Sequence, residues 1–158
     1  MKGGDTEDTL RMKRAVVVIY AVARAVKLQA HLFLGPQNPR DAKGTQARYA
    51  VWWVCYYRLG MTQGELAGMF RISDAGISYG IRRVQDLAED SLLLCQAMEA
   101  AEVGARRAAK KYPLCEVAAE RVERMAYMGW TGGKEAARAV LPGGAEGKAA
   151  ENLTRKMI

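Results

Sequence analysis

QGELAGMFRISDAGISYGIR, residues 63–82, is the stretch whose reading decides the fold. Thr62 stands just before it as a helix-capping hydroxyl, with Glu65 three places on, where the partner of a capping box belongs. The helix so opened, Gln63 to Phe70, is short, and after Arg71-Ile72 a second cap, Ser73, opens another. Leu66, Phe70, Ile72, Ile77 and Ile81 fall where two short helices sharing a core need apolar side chains. Ala67 sits at the expected crossing, and Gly80 lets the second helix approach a neighbour closely. Jointly these positions predict a helix-turn-helix whose recognition helix begins near Ser73 and carries Arg82 and Arg83. One position departs from the usual pattern. Arg71 stands where the turn prefers glycine, and a positive φ there costs a residue with a Cβ roughly 1 kcal/mol or more.

In such a motif the first turns of the second helix meet base edges in the major groove while the first helix crosses the backbone. The expected DNA-contacting set is therefore Ser73, Asp74, Ala75, Ser78, Tyr79, Arg82 and Arg83, with Thr62 and Gln63 at the start of the first helix. Ser73, Ala75, Ser78 and Tyr79 are expected near bases. Arg82 and Arg83 are expected on phosphate, although arginine also forks onto guanine.

Outward from this core, residues 6–34 carry few breakers and predict one long helix, mostly apolar from Ala15 to Val26 and ended by Gly35-Pro36. Gly35 to Gly44 (GPQNPRDAKG) reads as a polar loop in which Arg40 and Lys43 have no core to serve. Thr45 is expected to cap a helix from Gln46 to Leu59 whose face, Tyr49, Trp52, Trp53, Tyr56 and Tyr57, reads as core. The recognition helix meets no strong breaker before Val103 or even Lys111. Along it Val84, Leu87, Ser91, Leu94, Met98, Ala101 and Ala105 alternate steps of three and four, as a coiled-coil seam requires. That seam predicts a homo-oligomer, with a dimer first, unless it packs on the next helix of the same chain. Pro113 stops the run, and Leu114 to Met128 forms a further amphipathic helix. GWTGG (129–133) reads as a loop, Lys134 to Leu141 as a short helix and Pro142 to Gly147 as a linker. No useful β-type alternation occurs, so the expected class is all-α: a DNA-binding domain over 6–90, a helical extension over 91–141 and a flexible tail over 142–158.

Composition agrees with this and excludes other classes. The 158 residues carry 24 Lys+Arg against 17 Asp+Glu, a formal charge of +7 that favours polyanion partners. Cys55, Cys95 and Cys115 are widely spaced in apolar stretches, with no zinc spacing and no C-x-x-C pair, so reduced core thiols are expected and no metal. His31 is the only histidine and reads as a helix-surface or core residue. The nine-residue apolar run 15–23 is too short to cross a bilayer and is preceded by Asp5, Glu7 and Asp8, unlike a signal peptide; a cytoplasmic location is expected. Gly129-Trp-Thr-Gly-Gly-Lys-Glu fails as a P-loop, with its lysine one place early and Glu135 where a hydroxyl is needed. With no nucleophile elbow, paired histidines or carboxylate pair, neither enzymatic activity nor a cofactor is expected.

From about Arg14 to Asp90 the order of features resembles the DNA-binding domain of the replication initiator DnaA. It comprises a long helix, a basic loop with Arg40 and Lys43, a helix beginning Ala47-Arg48, then T-Q-G-E-L-A-x-x-F, a turn and G-I-S-Y-G-I-R-R-V. The resemblance implies a fold related to the Trp repressor, with the basic loop reaching toward the minor groove. Arg48 matches the arginine that opens the family's second helix and so joins the expected DNA-binding set, while Glu65, Leu66 and Phe70 match its motif. Ile72, Ser73, Asp74, Ala75 and Gly76 replace the family's box-reading signature after a turn one residue shorter. Its DNA specificity is therefore not carried over, and its ATPase module is not in this chain.

Two functions fit: a sequence-specific transcriptional or replication-linked regulator, phage- or mobile-element-encoded, or a DNA-packaging component. The second rests on Arg124 to Asn152, whose MAYMGWTGGKEAARAV and GKAAEN resemble the helix-turn-helix region of small terminase subunits. A helical partner-binding protein without DNA is a third reading.

Overall fold

The computed structural model describes residues 4, 6–35 and 41–128. Within them the chain is all-helical: α1 (Glu7–Val26), a 3₁₀ segment (Ala30–Phe33), α2 (Ala42–Arg58), α3 (Gln63–Phe70), α4 (Asp74–Ala88), α5 (Leu92–Lys111) and α6 (Glu116–Met128). No strand occurs among the described residues, and no helix among them is long and apolar enough to cross a membrane. The readings placed on Arg40 and on residues 129–158 lie outside the described residues.

The core is one cluster centred on α2. Trp52 and Trp53 are almost wholly buried, with Val18 and Val22 of α1, Leu66 of α3, Ile77 and Val84 of α4, and Leu94 and Ala101 of α5 around them. At roughly 150–250 Å² per large ring and about 25 cal/mol per Å², each tryptophan contributes on the order of 4–6 kcal/mol before entropy is counted. The longest contact is that of α1 with α5. It is a close one, because a Cβ on Gly104 would lie 2.9 Å from Ala21 Cβ and 3.1 Å from Val18 Cα.

Three helix boundaries differ from expectation. The first helix ends at Val26, eight residues before Leu34, where Lys27 takes a left-handed conformation (φ 60°) and Leu28 N–H returns to Ala23 O at 2.9 Å. The turned chain then buries Phe33. The second helix starts at Ala42 rather than Gln46, capped by Asp41, whose side chain accepts from Gly44 N–H at 2.9 Å. Lys43 is thus in the first turn of α2, exposed, instead of in a loop.

The helix opened by Ser73 does not run on past Ala88. Ser91 caps a new helix by accepting from Leu94 N–H at 3.0 Å, and its hydroxyl donates to Gln46 of α2 at 2.5 Å. The expected 84–105 seam is therefore divided between α4 and α5. Val84, Leu94, Met98, Ala101 and Ala105 are buried inside this chain, in the core formed with α1 and α2 rather than against α6. The same packing carries the core across the domain boundary expected at Asp90.

Cys55 and Cys95 lie in this core as free thiols, and burial pushes them up to about 12 and about 11 respectively. Cys115 is half-buried and also free. His31 is exposed on the 3₁₀ segment, and no group of side chains among the described residues is placed to hold a metal.

Candidate nucleic-acid interface

α3 is fixed at its start by the capping box: Thr62 N–H donates to Glu65 Oε1 at 2.9 Å and Glu65 N–H to Thr62 Oγ1 at 3.0 Å. Glu65 also receives Arg11 of α1 at 2.9 Å, so the start of α3 is tied to the first helix. At the other end Arg71 takes the left-handed conformation (φ 58°, ψ 46°), and the N–H groups of Arg71 and Ile72 both return to Ala67 O. The turn thus has the conformation glycine would favour, with an arginine in it, at a cost of roughly 1–2 kcal/mol. Ser73 then caps α4, accepting from Gly76 N–H at 3.0 Å. A Cβ on Gly76, in the first turn of α4, would lie 2.6 Å from Ile72 Cγ2, so a side chain there would force Ile72 to shift.

The inner face of α4 is held against α2 at Gly80, where a Cβ would stand 2.6 Å from the Trp52 ring and 2.7 Å from that of Tyr49. Ile77, Ile81 and Val84 bury the same face. What remains outward is a stripe at helical spacing: Asp74, Ala75, Tyr79 and Arg82 are exposed and Ser78 half-buried. Tyr79 is 51% exposed. Its ring meets Tyr49 edge-on at 6.4 Å, and Tyr49 and Trp52 continue the aromatic contact inward to Phe70. Burial pushes the Tyr49 hydroxyl above its ordinary value, Tyr79 adds to the shift and Arg83 opposes it.

Arg82 donates to Ser78 Oγ at 2.6 Å, which holds its guanidinium along the stripe toward the start of the helix. Arg83 is half-buried and reaches Asp86 at 3.4 Å. Asp86, Glu89 and Asp90 make the far end of α4 acidic and exposed and Asp74 puts a carboxylate at its start, so Arg82 is the exposed cation of the stripe.

Of the expected contacts, Ser73, Asp74, Ala75, Ser78, Tyr79, Arg82 and Arg83 are brought together on α4. Thr62 is exposed and Gln63 half-buried at the start of α3. Arg48 is not at a surface. It is 4% exposed, and its Nη2 donates to Leu32 O at 2.8 Å. α2 begins four residues earlier than expected, so Arg48 lies in its second turn instead of opening the helix. Arg14 has no expected role in the sequence, yet it is fully buried. Its guanidinium donates to Tyr112 O at 2.7 Å, Pro113 O at 2.5 Å and Glu7 at 2.8 Å. Partners so distant in sequence leave no local signal.

Comparison with protein-family models, with curated proteins and with solved structures finds no match to this chain.

Proposed function

We propose that α3, its turn and α4 form a helix-turn-helix and that the chain is a sequence-specific duplex DNA-binding protein, with the first turns of α4 in the major groove. The observation that carries this reading is the uncovered stripe Asp74, Ala75, Ser78, Tyr79 and Arg82 on a helix whose opposite face is locked to α2 at Gly80. A reading helix needs both a fixed depth and a free polar face. Asp74 suits the exocyclic amine of cytosine, Tyr79 the methyl of thymine, and Arg82 guanine or the flanking phosphate. The acidic far end keeps the remainder of α4 away from the backbone.

The resemblance to the DnaA DNA-binding domain supports a replication-linked or transcriptional regulator, reading a different site because residues 72–76 differ from that family's signature. Pairing of two chains on a symmetric site needs a surface other than the 84–105 seam, which is packed inside the chain.

Selection of bound sequences from a random duplex pool tests the reading directly. An enriched motif is expected, Arg82→Ala should weaken binding to it on the order of tenfold, and Tyr79→Ala should change the preferred bases more than the affinity. A folded chain that enriches no sequence, or whose preference ignores both substitutions, overturns it.

A further inference from the structure

Cations from two helices meet at Tyr112, the residue that ends α5. Lys13 Nζ of α1 and Lys111 Nζ of α5 each lie 5.6 Å from the centre of its ring. Lys110 and Lys111 are exposed, and Arg106 and Arg107 stand exposed one turn earlier. That spacing stacks like charge on like charge four residues apart, which disfavours the helix. Arg11, Arg14, Arg58 and Arg83 each sit on a carboxylate, whereas Lys110 and Lys111 make no ion pair among the described residues.

The cluster adjoins the start of α3. Arg14 donates to Tyr112 O at 2.7 Å and to Glu7 at 2.8 Å, Arg11 stands 3.8 Å from the same Glu7 oxygen, and its Nε reaches Glu65 of the α3 capping box at 2.9 Å. Three side chains therefore join Tyr112 to Glu65, a span well short of one duplex turn of about 34 Å. The side chains of Arg11 and Glu7 are 21% and 30% exposed, so the path between them runs at the surface rather than through the core. Its carboxylates are matched, since Glu7, Asp8 and Glu65 all meet Arg11, and Lys110 and Lys111 remain as the unmatched charge. Beyond Pro113 the surface turns acidic at Glu116 and Glu120 of α6, which confines the cationic ground to the end of α5.

We propose that Lys110 and Lys111, with Lys13 beside them at the Tyr112 ring, hold flanking phosphates of the same duplex that α4 reads, on the side where the start of α3 crosses the backbone. The identity of that duplex rests on the helix-turn-helix reading; the convergence of charge at Tyr112 does not. Ammonium groups suit the task because they meet phosphate as point charges without reading bases. The bonds of Arg14 to Tyr112 O and Pro113 O fix the cluster relative to α3, so the flank is held in register with the site.

The test measures the affinity of the full chain against salt on two duplexes bearing the selected sequence, one with about a turn of flanking DNA on each side and one trimmed to the site. On the long duplex K110Q/K111Q should bind on the order of tenfold more weakly than the wild type at moderate salt, and the slope of log affinity against log salt should fall by about two. On the trimmed duplex the two chains should bind alike. The variant should keep its helicity and its sequence preference, and the charge-preserving K110R/K111R should bind as the wild type does. Adding Lys13→Gln should lower the slope further; no further loss removes Lys13 from the contact. An undiminished slope for K110Q/K111Q on the long duplex overturns the proposal, whatever α4 does. An equal loss on both duplexes overturns the flank assignment. Tighter wild-type binding to single-stranded RNA or to vesicles of anionic lipid than to the long duplex overturns the choice of partner. If Tyr79→Ala with Arg82→Ala leaves sequence preference intact while K110Q/K111Q still loses slope, the reading of α4 fails and the phosphate contact stands. A wild-type chain that retains no duplex at low salt overturns both.

Discussion

Two arginines are buried at opposite ends of the helical bundle, and the structure treats them differently. At the end where α1 starts and α5 stops, Arg14 directs its guanidinium to Tyr112 O, Pro113 O and Glu7. Arg11 joins the same Glu7 and continues to Glu65 of the α3 capping box. At the end where α2 starts, Arg48 makes one bond, to Leu32 O, and its Nε and Nη1 are buried with no partner among the described residues. Burial pulls the Arg48 pKa down, and Asp41 only partly offsets this. One end is therefore closed by a satisfied charge network that also sets α3 against α1, whereas the other carries a buried charge at a desolvation cost. The contrast teaches that a buried cation is a support only when its donors are filled.

Removing each arginine should produce opposite results. Arg14→Ala takes donors from two backbone carbonyls and a carboxylate, and should lower unfolding free energy by on the order of 3 kcal/mol, read from the denaturant midpoint. A loss under about 1 kcal/mol would mean that water replaces the network easily. Arg48→Met keeps the volume and removes two orphaned nitrogens, so its effect should run from neutral to about 1 kcal/mol stabilising. A clear destabilisation there would make the bond to Leu32 more important than the burial of charge.

The smallest expected effect is in acid. Arg14, donating to Glu7, holds that carboxyl below its ordinary value of 4.5, against a weaker opposing push from burial. A carboxylate with a depressed folded pKa adds stability that is complete above the ordinary value and is lost as pH falls through the folded one. Thermal melts of Glu7→Gln should therefore show a flatter acid limb below 4.5 than the wild type, while Arg48→Met leaves that limb unchanged. Parallel acid limbs for Glu7→Gln and the wild type would separate Glu7 from the network.

Several features decided within four residues were legible in the sequence, although the Asp41 cap on Gly44 was not. Thr62 with Glu65, Ser73 with its helix, and the need for a small residue at Gly80 all follow from capping and packing rules that act locally. Features decided by distant partners were not. Lys27 turns the chain so that Phe33 can be buried, and Ser91 opens a new helix while bonded to Gln46, forty-five residues away. The alternating apolar steps from Val84 to Ala105 were real, but periodicity does not say whether a stripe faces another chain or α1 and α2. Arg48 was placed at the expected interface by resemblance alone, whereas it is buried with its Nη2 on Leu32 O, sixteen residues away. The exposed stripe on α4 was legible because solvent exposure there needs only helix spacing and a buried opposite face.

The contact of α1 with α5 has a consequence for entropy. Gly104 touches α1 directly, and Ala101, Ala105 and Ala108 are buried on the same helix. Such residues have almost no rotamers to lose on folding, so close backbone approach is gained there without freezing long side chains. The same closeness leaves no slack, because nothing at Gly104 can swing aside to admit a methyl group. The positions of Arg106, Arg107, Lys110 and Lys111 at the end of α5 are therefore set by backbone lying on backbone.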